Sequence, residues 1–287
     1  MTTTGGSLGL SYAADYVEDG YVVVPGLLDG AECAEIIEDA ARFVRGDYPL
    51  RGVPAARSSE GTDDELLSKI LAIHFPHLVS PVALGALAHP RICDVLGQIV
   101  GAHLPHWDGG VKAMQSMLFV KPPGFPGQAW HQDERFIPTR DRSLVGAWIA
   151  LDDATEENGC LRVIPGSQQA GIIHRFKAHG RPDEFDPTDE AYGFDDSGEV
   201  VVEVPAGSVI FFNGYLLHRS LKNVSSGYRR ALVNHYCSAS TLLPWWSTDE
   251  PTATADYRAI VPVVGPDPYE WKGIAAPATE VFVRSHE

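Results

Sequence analysis

Residues 144–164 read Leu144-Val145-Gly146-Ala147-Trp148-Ile149-Ala150-Leu151-Asp152-Asp153-Ala154-Thr155-Glu156-Glu157-Asn158-Gly159-Cys160-Leu161-Arg162-Val163-Ile164. Two short apolar runs, Leu144–Leu151 and Cys160–Ile164, are separated by acidic residues and an Asn-Gly turn. Runs of this length between turn residues predict strands. The pattern continues outward. Met117–Val120 stops at Pro122-Pro123-Gly124, and Val200–Val204, Val209–Phe212 and Arg230–Tyr236 follow at short intervals. Many short strands so spaced predict a β-sandwich or barrel from Gly101 onward.

Upstream the texture differs. Residues 1–10 read as a loose tail and Gly20–Gly26 as a strand. A helix is expected to begin near Asp29, with Cys33, Ile36, Ile37, Ala40, Ala41, Phe43 and Val44 on its apolar face. Residues 45–64 read as an exposed loop, and helical periodicity returns between Asp64 and Ile73. It appears again over Pro90–Val100, where Ile92, Val95, Leu96 and Ile99 fall together. The expected plan is a single domain, 1–287, mainly β with α. A mostly helical N-terminal layer (1–100) packs on a β core (101–241), followed by a C-terminal extension (242–287).

Hydrophobic residues make up 44% and charged residues 21% of the 287, an ordinary globular composition. The net charge of −16 argues against nucleic acid and against anionic membranes, both of which repel such a surface. No apolar run reaches the roughly 18 residues of a membrane span. Residues 1–10 lack the basic and apolar regions of an export signal. The four cysteines, Cys33, Cys93, Cys160 and Cys237, are scattered and read as reduced thiols. A cytoplasmic protein is expected.

The chemistry concentrates in histidines near carboxylates. Two His-x-Asp pairs occur, His106-Trp107-Asp108 and His131-Gln132-Asp133. Pro105 and Gly109-Gly110 place the first in a turn. The second stands at the edge of the β-rich region, where residues two apart on an extended chain face one way and can aim at one metal. His218, beyond the strand Val209–Phe212, supplies a second imidazole. Two histidines and a carboxylate leave coordination positions open and suit iron(II). In Tyr228-Arg229-Arg230 only one arginine can face inward, and a buried guanidinium calls for an anion.

These residues resemble the phytanoyl-CoA dioxygenase family of Fe(II)/2-oxoglutarate oxygenases. The resemblance runs through Glu18–Leu28, Met117–Pro123, Trp130-His131-Gln132-Asp133 with Glu157–Ser167, and His218-Arg219-Ser220 with Gly227–Arg230. It covers about residues 15–240. It implies a double-stranded β-helix, a jelly-roll or cupin-like core. It implies His131, Asp133 and His218 as iron ligands, with Arg229 on the far carboxylate of 2-oxoglutarate and Ser220 assisting. Met117, Gln132 and Trp148 match positions lining the cosubstrate pocket, and Lys69 matches a further cosubstrate lysine. The implied reaction uses O₂, decarboxylates 2-oxoglutarate to succinate and CO₂, and oxidises a small organic molecule. Related halogenases carry a small residue where this chain has Asp133, so hydroxylation is the expected outcome.

Two other readings stay open. One is a barrel protein that binds a metal or ligand without redox turnover; the other is a metal-dependent hydrolase or isomerase, which would need a further nitrogen ligand or base. His235 reads as packed or surface. The excess of 38 acidic over 22 basic residues disfavours a coenzyme A ester. Arg140, Arg142 and the Trp245-Trp246 pair are candidates to face substrate. The sequence leaves the oligomeric state open.

Overall fold

The computed structural model describes residues 11–50, 60–241, 259–272, 274 and 280–285. Its first half contains α1 (Ser11–Asp19), β1 (Tyr21–Val24), α2 (Gly30–Arg45), α3 (Asp63–Leu67), β2 (Ile70–His74), α4 (Pro81–Leu87) and α5 (Pro90–Ile99). Next come β3 (Val111–Lys121), β4 (Gln128–His131), β5 (Val145–Ala150), β6 (Leu161–Val163), β7 (Arg175–Lys177) and β8 (Glu190–Tyr192). The chain continues through β9 (Val200–Val202), β10 (Val209–Asn213), β11 (His218–Ser220), β12 (Arg229–Ser238), β13 (Val261–Val264) and β14 (Phe282–Ser285).

The strands build two principal sheets. The larger runs β1-β10-β5-β12-β3-β2-β14, with β13 also pairing β3. The smaller runs β4-β11-β6-β9, and β7 pairs β8 as a separate ribbon. Neighbouring strands are antiparallel throughout. This arrangement is a double-stranded β-helix.

Alternation along the large sheet sorts its side chains between two layers. On one face Ala147, Ile149, Val209, Phe211 and Leu232 meet the helices, which contribute Cys33, Ile36, Phe43 and Val44 from α2 and Ile92, Val95, Leu96 and Ile99 from α5. On the other face Trp148, Ala150, Ile210, Phe212, Ala231 and Val233 meet Leu161, Val163 and Val202 of the small sheet. Each fully buried Ile, Leu or Phe contributes about 1.5–3 kcal/mol. α2 begins where expected. Asp29 accepts from the backbone nitrogens of Ala31 and Glu32, Glu32 returns the bond to Asp29, and Gly46 ends the helix in the left-handed region.

One expectation is corrected. The segment Asp64–Ile73 is not one helix: α3 stops at Leu67, and Ile70–His74 is a strand between β3 and β14. Pairing on both edges outweighs the helical spacing of a short apolar run. The N-terminal layer also gives two strands, β1 and β2, to the large sheet. Two strands from beyond residue 242, β13 and β14, join the same sheet. Trp245 and Trp246 lie outside the described residues. No helix among the described residues is long and apolar enough to cross a membrane.

Candidate metal centre

Strands β4 and β11 pair so that His131 and His218 stand opposite each other. Their rings are 4.0 Å apart between centroids. Gln132 keeps the extended conformation (φ −131°, ψ 126°) before the chain turns at Asp133–Arg135. That single extended residue brings the Asp133 carboxylate to the side of the His131 ring. Asp133 Oδ1 lies 3.7 Å from Nε2 of both His131 and His218. One ligand atom from each of the three residues falls within 4.8 Å of the others, as a shared metal requires.

The hydrogen bonds fix the rings for ligation. His131 Nδ1 donates to the Ala129 carbonyl (2.8 Å), and His218 Nδ1 to the Leu216 carbonyl (3.0 Å). A carbonyl only accepts, so each Nδ1 carries the proton and each Nε2 keeps its lone pair. Burial, with His131 alongside, pushes the His218 imidazole down to about 4, so it stays neutral. Burial alone would raise the Asp133 carboxyl, yet it is held well below the usual carboxylate range by the His218, His235 and His131 imidazoles. His235 Nε2 donates to Asp133 Oδ2 at 2.8 Å, leaving Oδ1 toward the two ligand-ready nitrogens.

A second group of polar residues lies farther along the same sheet face. Arg229, Ala231, Val233 and His235 alternate to one side of β12, and Lys121 is the cross-strand neighbour of Arg229 on β3. Arg229 is buried, its guanidinium 5.5 Å from the Trp148 ring, and its Nε has no hydrogen-bond partner. Lys121 Nζ donates to the Leu221 carbonyl and stands 3.4 Å from Ser220 Oγ. Burial, then the neighbouring Arg229, depresses the Lys121 ammonium well below its ordinary value, and burial lowers Arg229 to about 10. Neither takes part in an ion pair among the described residues. Two buried cations side by side without a carboxylate form a site for an anion. Arg230, by contrast, points away and forms a bidentate pair with Asp152 at 2.7 and 2.8 Å.

A cavity of about 270 Å³ joins the two groups, with the His131, Asp133 and His218 cluster and the Arg229–Lys121 pair both in its wall. Met117, Trp148 and Ser220 line it. Gln132 does not. Its amide donates to the carbonyls of Ile172 (3.0 Å) and Tyr215 (2.7 Å) and accepts from the His174 nitrogen (2.8 Å). It faces backward because an extended chain sends residue 132 opposite to 131 and 133. Lys69 is exposed just past α3 and away from the cavity, since inward positions at this point of the chain fall to Leu71 and His74 of β2. Arg140 and Arg142 also lie outside the lining, and the Arg142 guanidinium sits 5.6 Å from the Tyr215 ring. His235 and Lys121 were not singled out from sequence. Period-two counting from Arg229 and from Met117 puts both on the inward face.

Comparison with known proteins gives the lineage. A family model described as Phytanoyl-CoA dioxygenase (PhyH) matches residues 16–231. A curated Arabidopsis thaliana protein named "Phytanoyl-CoA dioxygenase" is 42% identical over 123 residues, 42% of this chain and 43% of that one. The chain thus matches less than half the length of that relative. "Phytanoyl-CoA dioxygenase domain-containing protein 1" of Bos taurus is 27% identical over 277 residues, covering 82% of this chain and 91% of the relative. Among solved structures, EctD from S. alaskensis with 2-oxoglutarate and 5-hydroxyectoine superposes with a TM-score of 0.62. It is 23% identical and covers 85% of this chain and 81% of that one, a likeness of fold.

Proposed function

Because this chain belongs to the phytanoyl-CoA dioxygenase family, we propose that it is an Fe(II)/2-oxoglutarate-dependent dioxygenase that hydroxylates a small organic molecule. The observation that carries the reading is the pairing of two sites in one cavity. One is a His-Asp-His cluster, and the other is a buried Arg-Lys pair that has no carboxylate partner among the described residues.

The donor set fits the metal. Two imidazoles and one carboxylate on one side leave the opposite side open, the arrangement suited to iron(II) that shares its sphere with a cosubstrate. His131, Asp133 and His218 would hold the iron. Arg229, with Lys121 and the Ser220 hydroxyl, would anchor the far carboxylate of 2-oxoglutarate, whose charge relieves the crowding of two buried cations. Bound iron(II), 2-oxoglutarate and O₂ together supply the oxidant, with decarboxylation of 2-oxoglutarate to succinate and CO₂. The protein's own residues orient and shield. His235 holds Asp133 in one rotamer, and the Ala129 and Leu216 carbonyls fix the imidazole tautomers. Met117, Trp148, Phe212 and Val233 give the chamber walls that keep water from the reacting carbon.

An anaerobic titration tests this. Iron(II) and 2-oxoglutarate added to the wild type are expected to produce a weak visible charge-transfer band. The band should vanish in His131→Ala and require much more 2-oxoglutarate in Arg229→Ala. No band in folded, iron-loaded protein would sink the oxygenase reading and favour a non-redox metal- or ligand-binding barrel.

A further inference from the structure

The cavity has a closed end and an open one. Arg229 and Lys121 are buried at the inner end. Phe136, 47% exposed, and Arg284, whose side chain is 35% exposed, stand both in the wall and in water, so they mark the opening. Arg284 comes from β14, the edge strand of the large sheet. Its partner across the opening is Asp186, whose Oδ2 accepts from Arg284 Nη2 at 2.8 Å. Both residues line the cavity. The pair is charge-compensated, so its consequence is mechanical: one ion pair joins the two sides of the opening.

The two sides differ in how firmly they are held. Asp186 is a fixed post. It follows Phe185, which is buried and bridges Gly127 just ahead of β4, the edge strand of the small sheet. The Gly127 nitrogen donates to the Glu184 carbonyl and the Asp186 nitrogen to the Gly127 carbonyl, each at 2.8 Å. The Asp186 side chain is buried, and its Oδ1 accepts from the backbone nitrogen and the hydroxyl of Thr188. β14 is held less. It is four residues long, each partly exposed, and it pairs with β2 alone, with a register shift between Arg284 and Ser285. The Phe282 ring adds a stack on His74. A short edge strand with one neighbour opens at lower cost than strands paired on both sides.

We propose that β14 is the moving leaf of a gate and that the Arg284–Asp186 pair is its latch, which sets how fast 2-oxoglutarate enters and leaves the cavity. The identity of that ligand rests on the oxygenase reading. A latch that touches no ligand slows entry and exit by the same factor and leaves the equilibrium affinity unchanged. A contact made by Arg284 to the ligand itself would change the affinity instead.

The test compares the wild type with Asp186→Asn, which keeps an acceptor for Thr188, and with Arg284→Gln. Stopped-flow mixing of 2-oxoglutarate with the anaerobic iron(II) protein follows the visible band as it forms, and a chase with excess succinate follows its loss. Each variant is expected to accelerate both phases by about tenfold at unchanged affinity, the effect of losing one charge-assisted hydrogen bond from the closed state. The double variant should be no faster than either single one, since both remove the same pair. Arg284→Lys should keep most of the slow exchange. Hydrogen exchange at the β14 amides, which needs neither metal nor cosubstrate, should rise in both single variants. No acceleration of the band in either variant would overturn the proposal, as would β14 amides exchanging no faster than in the wild type or a weaker affinity confined to Arg284→Gln. Absence of the band in the wild type refutes the oxygenase reading, and hydrogen exchange then still decides whether the latch exists. A band with unaltered rates refutes only the latch.

Discussion

At the scale of single residues, His235 does the most work for its position. It donates to Asp133 Oδ2, is itself buried, and has no partner on Nδ1. Its removal leaves the carboxylate free to rotate and unsatisfied in an enclosed space. His235→Leu is therefore expected to weaken iron(II) binding about 10–100-fold, the usual cost of losing an orienting partner behind a ligand. His235→Gln, which keeps an amide donor, should recover part of that. Anaerobic iron titrations read both, and an unchanged affinity in His235→Leu would remove it from the metal site. The residue was legible in principle. Counting by two from Arg229 along Arg229-Arg230-Ala231-Leu232-Val233-Asn234-His235 puts His235 inward, but its partner Asp133 lies 102 positions away and no local pattern announces it. Gln132 shows the converse. The family resemblance implies a pocket position for it, while the alternation that unites His131 and Asp133 requires the residue between them to face away.

At the scale of elements, the cluster depends on how closely β4 can approach β11. Gly127, just before β4, is buried, and a Cβ there would come within 1.9 Å of the Ser220 carbonyl oxygen and 2.7 Å of the Leu221 carbonyl carbon. Both are backbone atoms of the strand region bearing His218, so no side chain can swing aside. Gly127→Ala is expected to separate the strands, lowering stability by about 1–3 kcal/mol or more and weakening iron binding in the same variant. Gly198→Ala, where a Cβ meets nothing within 4 Å, should change neither. Thermal unfolding beside an iron titration checks this, and a stable Gly127→Ala with normal iron affinity would contradict it. Elements of this kind set the limit of sequence reading. Strands β3, β5, β10 and β12 are apolar enough to be recognised alone. Strand β11, His218–Ser220, is three residues long and exists because β4 and β6 flank it. Ile70–His74 has a run equally compatible with a helix, and only its neighbours β3 and β14, the latter more than 200 residues on, decide for a strand.

At the scale of the whole molecule, buried titratable groups couple stability to pH, and their signs must be added. Burial, then nearby Arg284, depresses the His74 imidazole to about 4 from its ordinary 6.5. Burial also lowers His77, which is held between Ser116 Oγ and the Ala259 carbonyl. Both are held toward the neutral form in the folded protein and bind protons on unfolding as pH falls below 6.5, so their contribution is full above that value and lost as pH falls, for His74 toward 4. Glu134 acts in the opposite direction. Burial raises its carboxyl from 4.5 to about 7, so the folded state holds a proton that the unfolded state releases, a contribution full below 4.5 and lost as pH rises through 7. His218 in the iron-free protein and His174 are lowered by burial as well, so between 4.5 and 6.5 four depressed imidazoles oppose one raised carboxyl, and unfolding takes up protons on balance. The iron-free protein is expected to lose stability as pH is lowered from 6.5 to 4.5, with a net uptake of protons on unfolding. His74 lies on β2, stacked on Phe282 of the edge strand β14 at 4.3 Å, where a phenyl ring can take its place. His74→Phe should reduce the slope in this window, because one group that binds a proton on unfolding is lost. Urea unfolding of both proteins at several pH values measures the two slopes. A wild type that becomes more stable on acidification, or a His74→Phe variant with an undiminished slope, would show that these histidines are not held neutral by burial.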